Sequence, residues 1–86
     1  MNRVRLLLIE DDSEDYLVTF DLLRQMEDPS VEVTWSRSCQ EGLAVLSPGP
    51  FDVVLLDHRL GGQSGLDFLG RMPLDVRTPV ILLTGD

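Results

Sequence analysis

The chain has 86 residues, 43% of them hydrophobic and 26% charged, with a formal net charge of −8. That length holds one small domain, which buries only about 60–65% of the surface of its unfolded chain. The negative balance argues against sequence-independent binding to DNA, RNA or anionic lipid, and no apolar run approaches the roughly 18 residues of a membrane span.

Cys39 is the only cysteine, which excludes an internal disulfide and a cysteine-based zinc site. A single thiol fits a reducing compartment, most simply the cytoplasm. All seven basic residues are arginines, and lysine is absent. The opening MNRVRLLLIEDD carries two arginines and a short apolar run, but no small-residue cleavage site follows. It reads as a first strand and not as a signal peptide.

Arg3 to Ile9 is apolar without alternation, as expected of a strand buried on both faces of a parallel sheet. Asp12 or Ser13 can cap a helix, with Glu14 and Asp15 complementing its macrodipole. Tyr16, Leu17, Phe20 and Leu23 then recur at helical spacing, so a helix to about Met26 is predicted, ended by Asp28-Pro29. Val31 to Trp35 alternates as VEVTW, a strand with one more solvated face. Ser36 or Ser38 can cap the next helix, which turns Leu43 and Leu46 inward, and Ser47-Pro48-Gly49-Pro50 breaks it. Phe51 to Leu56 reads as a third strand and Leu60 to Gln63 as a loop. Ser64 is a plausible cap for a short helix over Leu66 to Met72, stopped by Pro73. After a loop from Asp75 to Thr78, Pro79 can open a fourth strand over Val80 to Leu83. The order β-α-β-α-β-α-β predicts an α/β fold, a parallel sheet with helices on its faces.

Open parallel sheets bind ligands beyond the carboxyl ends of their strands. Three such ends here carry distinctive groups: Glu10-Asp11-Asp12 after the first strand, Asp57 after the third, Thr84-Gly85 after the fourth. Carboxylates converging there repel, by about 3 kcal/mol for a pair ~5 Å apart at an effective dielectric near 20. A hard divalent cation relieves this, and Mg²⁺ favours one or two carboxylates, several waters and phosphate oxygens. Each feature alone also has a bland reading: an acidic residue after a strand is usually a solvated loop residue, and Glu10-Asp11-Asp12 before a helix can be capping alone. Their joint occurrence at three strand ends favours a site. His58 reads as a loop neighbour and not as a phosphohistidine. Trp35 and Phe51 read as core or strand-edge packing, and Cys39 as a small buried apolar residue.

These segments, LLLIEDD, VVLLDHRLGGQSGLDFL and PVILLTG in that order and spacing, resemble the receiver domain of bacterial two-component response regulators over the whole chain. The resemblance implies a doubly wound, flavodoxin-like sheet of order 2-1-3-4-5, of which this chain carries 2-1-3-4. It implies that Asp57 accepts a phosphoryl group from a phosphohistidine on a histidine kinase or phosphotransfer partner and thereby switches an output domain or partner protein. By matching positions, Asp11 binds Mg²⁺ directly, Glu10 through water, Asp57 through a carboxylate oxygen and Arg59 through its backbone carbonyl. Thr84 is the switch hydroxyl. Such a domain is a signalling module and not a conventional enzyme.

Two departures accompany the resemblance. A complete receiver continues with a fourth helix, a fifth strand and a fifth helix, so residues 1–86 read as a receiver truncated after its fourth strand, within a longer protein or covered by a second copy. The family's phosphate-binding lysine follows the fifth strand, and this chain has no lysine. That favours, as the alternative, a phosphorylation-independent pseudo-receiver acting as a protein-protein interaction module. A phosphatase with an aspartyl-phosphate intermediate expects D-x-D at the first strand's end. A dinucleotide site expects G-x-G-x-x-G there, and a P-loop needs a lysine; none of these patterns is present.

Overall fold

A computed structural model of the chain describes residues 3–26, 30–46, 51–57, 65–72 and 78–83. Four strands and three helices alternate: β1 (Arg3–Ile9), α1 (Ser13–Arg24), β2 (Ser30–Ser36), α2 (Cys39–Leu46), β3 (Val53–Asp57), α3 (Gly65–Arg71) and β4 (Val80–Leu83). The strands form one parallel sheet in the order β2-β1-β3-β4, the order expected from the resemblance.

The central strand β1 is the apolar run read from sequence, with the same bounds. It pairs β2 from Arg3↔Ser30 to Ile9↔Ser36 and β3 from Leu6↔Val53 to Ile9↔Leu56. Strand β4 pairs β3 from Val54↔Val80 to Asp57↔Leu83. Strand β3 begins two residues later than the apolar pattern suggests. Asp52 N–H still donates to the Arg5 carbonyl at 2.8 Å, but the Asp52 carboxylate takes the Arg5 N–H, also at 2.8 Å. A side chain thus closes the rung that the backbone would otherwise make.

On one face of the sheet Leu7, Ile9, Val54 and Leu56 meet Cys39 and Leu46 of α2 and Phe68 of α3, all buried. Leu43, inward as predicted, joins the margin of this core. Helix α2 approaches the sheet closely because Gly42 faces Ile9: a Cβ there would lie 2.9 Å from Ile9 Cγ1 and against Cδ1. Among the described residues, α1 is the helix on the opposite face. No residue of α1 is buried, Leu17 and Leu22 are 60% and 63% exposed, and Ile81 on β4 is half exposed.

The helix ends follow local chemistry. Asp12 is the N-cap of α1, its Oδ1 accepting from the N–H groups of Glu14 (2.8 Å) and Asp15 (3.1 Å). Helix α1 closes at Gln25, with Arg24 in the last turn paired to Asp21 at 2.7 Å. Ser38 Oγ accepts from Glu41 N–H at 3.1 Å and opens α2, while Ser36 stays in β2 as a buried strand residue. The predicted breakers Asp28-Pro29, Ser47 to Pro50 and Pro73, the loop at Leu60 to Gln63 and the cap Ser64 lie outside the described residues.

Candidate functional site

Strand β1 delivers Glu10 and Asp11 to the carboxyl edge of the sheet at its centre, between β2 and β3. The ladder does not stop at Ile9, because Glu10 N–H donates to the Ser36 carbonyl at 3.0 Å. The side chain of Glu10 is 4% exposed, and its Oε1 accepts the Asp12 N–H at 3.1 Å. A buried carboxylate needs such donors, since removing its charge from water is costly. Asp11, the next residue, is exposed. The pair thus divides into one carboxylate fixed inside the edge and one presented to solvent.

Asp57 is the last residue of β3, described by its backbone. Strand β3 runs beside β1 with Leu56 opposite Ile9, so continuing that register by one residue sets Glu10 beside Asp57. Leu83 pairs with Asp57 on the other side, and Thr84 is the next residue in the chain. His58, Arg59 and Thr84 lie outside the described residues, as do the glycines at 61 and 62. The topology therefore brings Glu10, Asp11 and the Asp57 backbone to adjacent positions along one edge.

The resemblance implies Mg²⁺ here, and the donors are of the right kind: carboxylate oxygens, one exposed, on neighbouring strand ends. Among the described residues no three His, Cys, Asp or Glu side chains gather to hold a metal.

Trp35 contributes a contact that sequence reading did not find. It is half-buried at the end of β2, and its indole Nε1–H donates to the Glu10 carbonyl at 2.8 Å. Its ring stacks on Tyr16 of α1, with centroids 3.8 Å apart and planes within 8°. The Arg37 guanidinium sits 4.8 Å from the ring centroid. Tyr16 also stacks on Phe20 at 5.7 Å. Donor and acceptor lie 25 residues apart, so no local pattern signals the bond. Cys39 is buried, as expected.

Comparison with known proteins agrees with this architecture. The chain is 38% identical over 85 residues to the transcriptional regulatory protein YkoG of Bacillus subtilis, covering 98% of this chain and 36% of YkoG. It is 33% identical over 82 residues to the transcriptional regulatory protein QseB of Escherichia coli O157:H7, covering 94% and 36%. It spans about a third of the length of these curated relatives. Among solved structures, the MaeR response regulator bound to beryllium trifluoride superposes with a TM-score of 0.82 at 25% identity, covering 96% of this chain and 68% of that one. The family described as the response regulator receiver domain matches residues 6–86. With its parallel 2-1-3-4 sheet and its acidic strand ends, the chain belongs to the receiver domain family of two-component response regulators.

Proposed function

We propose that the chain is a Mg²⁺-dependent phosphoacceptor whose acceptor is Asp57 and whose donor is a phosphohistidine on a histidine kinase or phosphotransfer protein. The observation that carries this reading is the placement of Glu10 and Asp11 at the end of the central strand, in register with a neighbour that ends in Asp57. A carboxylate oxygen of Asp57 attacks phosphorus; a P–O bond forms and the P–N bond breaks. The departing imidazole nitrogen keeps the electron pair and takes up a proton. Glu10, Asp11, Asp57 and the Arg59 carbonyl would hold Mg²⁺. When bound, the cation offsets the charge of the carboxylates and of the phosphoryl oxygens.

The chain's own part is positioning. Burial fixes Glu10 in the edge, Asp11 faces solvent, and β3 holds Asp57 at the mouth of a rigid strand. The Thr84 hydroxyl donates to a phosphoryl oxygen and draws the end of β4 toward the site. That movement is what an output domain or partner protein reads, in the cytoplasm where such kinases present their phosphohistidines. Beryllium trifluoride, to which MaeR is bound, is a suitable probe of Asp57 here.

The test is intact-protein mass after incubation with a small phosphodonor and Mg²⁺, beside EDTA and Asp57→Asn controls. A single phosphoryl adduct that needs Mg²⁺ and disappears in Asp57→Asn is expected. A folded protein that forms no adduct and binds no beryllium trifluoride would instead support the phosphorylation-independent interaction module.

A further inference from the structure

We propose that Trp35 is a positioning residue for the acidic pair: its indole N–H sets the peptide plane between Glu10 and Asp11 and so aims the Asp11 carboxylate at the cation. The inference rests on the Mg²⁺-dependent reading above.

In a parallel pair each residue's N–H and C=O bond to the same neighbouring strand, at positions two residues apart. Glu10 N–H bonds Ser36 O, so a continuing ladder would answer Glu10 O with the N–H of residue 38. Among the described residues the backbone bonds do not include that rung: β2 stops at Ser36 and the chain turns into α2 at Cys39. The Trp35 indole N–H takes its place at 2.8 Å. The Glu10 carbonyl and the Asp11 nitrogen belong to one planar peptide group, so holding the oxygen also sets the direction in which Asp11 leaves the sheet.

The indole is itself held. Tyr16 stacks on one ring, Arg37 lies over it, and Tyr16 N–H donates to the Asp12 carbonyl at 2.9 Å. Contacts therefore run in a closed circuit: Glu10 to Asp12 along the chain, Asp12 to Tyr16 through the first turn of α1, Tyr16 to Trp35 by stacking, and Trp35 back to Glu10. Asp11 lies between Glu10 and Asp12 in that circuit, with its own side chain exposed to solvent. Partners of this kind, one step removed from the metal, orient ligands and set affinity.

Trp35 is the only tryptophan, so global replacement with a tryptophan analogue alters one site. Benzothienylalanine keeps the shape and the stack but has sulfur in place of the N–H, and a fluorinated tryptophan that retains the N–H serves as its matched control. Trp35→Phe gives an encoded version of the same loss. Mg²⁺ binding is measured by titration calorimetry, and the Glu10 carbonyl carbon resonance is read in the metal-free protein. The benzothienyl protein is expected to show an upfield shift of that resonance and about tenfold weaker Mg²⁺ binding. Adduct yield should recover at saturating Mg²⁺, and the fluorinated protein should match the parent throughout. Equal Mg²⁺ affinity in the folded benzothienyl and fluorinated proteins overturns the role of Trp35 and leaves the phosphoacceptor reading standing. A folded fluorinated protein that binds no Mg²⁺ overturns both.

Discussion

Replacing Gly42 with alanine sets two known effects against each other. Alanine favours a helix interior over glycine by about 0.8–1.0 kcal/mol, which alone would make Gly42→Ala stabilising. Against this, the new methyl would lie 2.9 Å from Ile9 Cγ1, against Cδ1, and 3.6 Å from Phe68 Cε1. Ile9 is β-branched, fully buried, and fixed in the central strand between β2 and β3. It has few rotamers to escape into, and overpacking of this kind costs about 1–3 kcal/mol. The net expectation is a destabilisation of about 1 kcal/mol, or roughly 4–8 °C in Tm for a domain of this size. Urea unfolding followed by the fluorescence of Trp35 reads it directly. Gly70→Ala in α3 is the matched control, since a Cβ there meets nothing within 4 Å. It carries the helical gain without the clash and should be neutral or stabilising by a few tenths of a kcal/mol, about what a position near a helix end allows. Ile9→Val, which removes Cδ1, should cost about 1 kcal/mol alone and distinctly less beside Gly42→Ala, a coupling of about 1 kcal/mol. If Gly42→Ala proves as stable as Gly70→Ala, the close approach of α2 to β1 does not constrain residue 42 and the reasoning fails.

Other expectations concern the elements that flank the acidic pair. Asp12→Ala removes the acceptor of two N–H groups at the start of α1 and should destabilise by about 1 kcal/mol in urea titrations, whereas Asp12→Ser should recover most of that loss. Tyr16→Leu keeps an apolar residue in α1 but removes the stack on Trp35; a loss of about 0.5–1.5 kcal/mol is expected, with a change in Trp35 emission in the folded state. An unchanged native spectrum would mean that the rings are not in contact in solution.

Much of this arrangement is legible in local sequence. The lack of alternation from Leu6 to Ile9 marked β1, because the inner part of a central parallel strand is buried on both faces, while Arg3 and Arg5 at its start are exposed. The acidic strand end was readable for the same reason, as carboxylates mark where burial stops. Local ambiguity was resolved by contacts that no window contains. Asp12, and not Ser13, caps α1 because its Oδ1 reaches two amides. Ser38, and not Ser36, opens α2 because Ser36 is still in the ladder with β1. The late start of β3 depends on an Asp52 carboxylate closing onto Arg5, 47 residues away. The need for glycine at 42 exists only once Ile9 is opposite it, and the indole bond to Glu10 exists only once β2 lies beside β1. Of the site itself, the strand-end placement of Glu10, Asp11 and Asp57 was readable, and the circuit around Asp11 was not. The roles of Arg59 and Thr84 rest on the resemblance.

The unequal cover of the two sheet faces sets where the native state gives way first. Helices α2 and α3 bury Cys39, Leu46 and Phe68 in a shared core, whereas α1 buries no residue at all. Amides of α1 should therefore exchange through local opening that leaves the core intact, while those of β1 and β3 wait for global unfolding. That loosest helix begins at Asp12, one residue past Asp11. Each opening of its first turn releases the Asp12 carbonyl from Tyr16 N–H. The balance between docked and lifted α1 thereby sets how large a share of molecules holds the acidic pair preorganised at any moment.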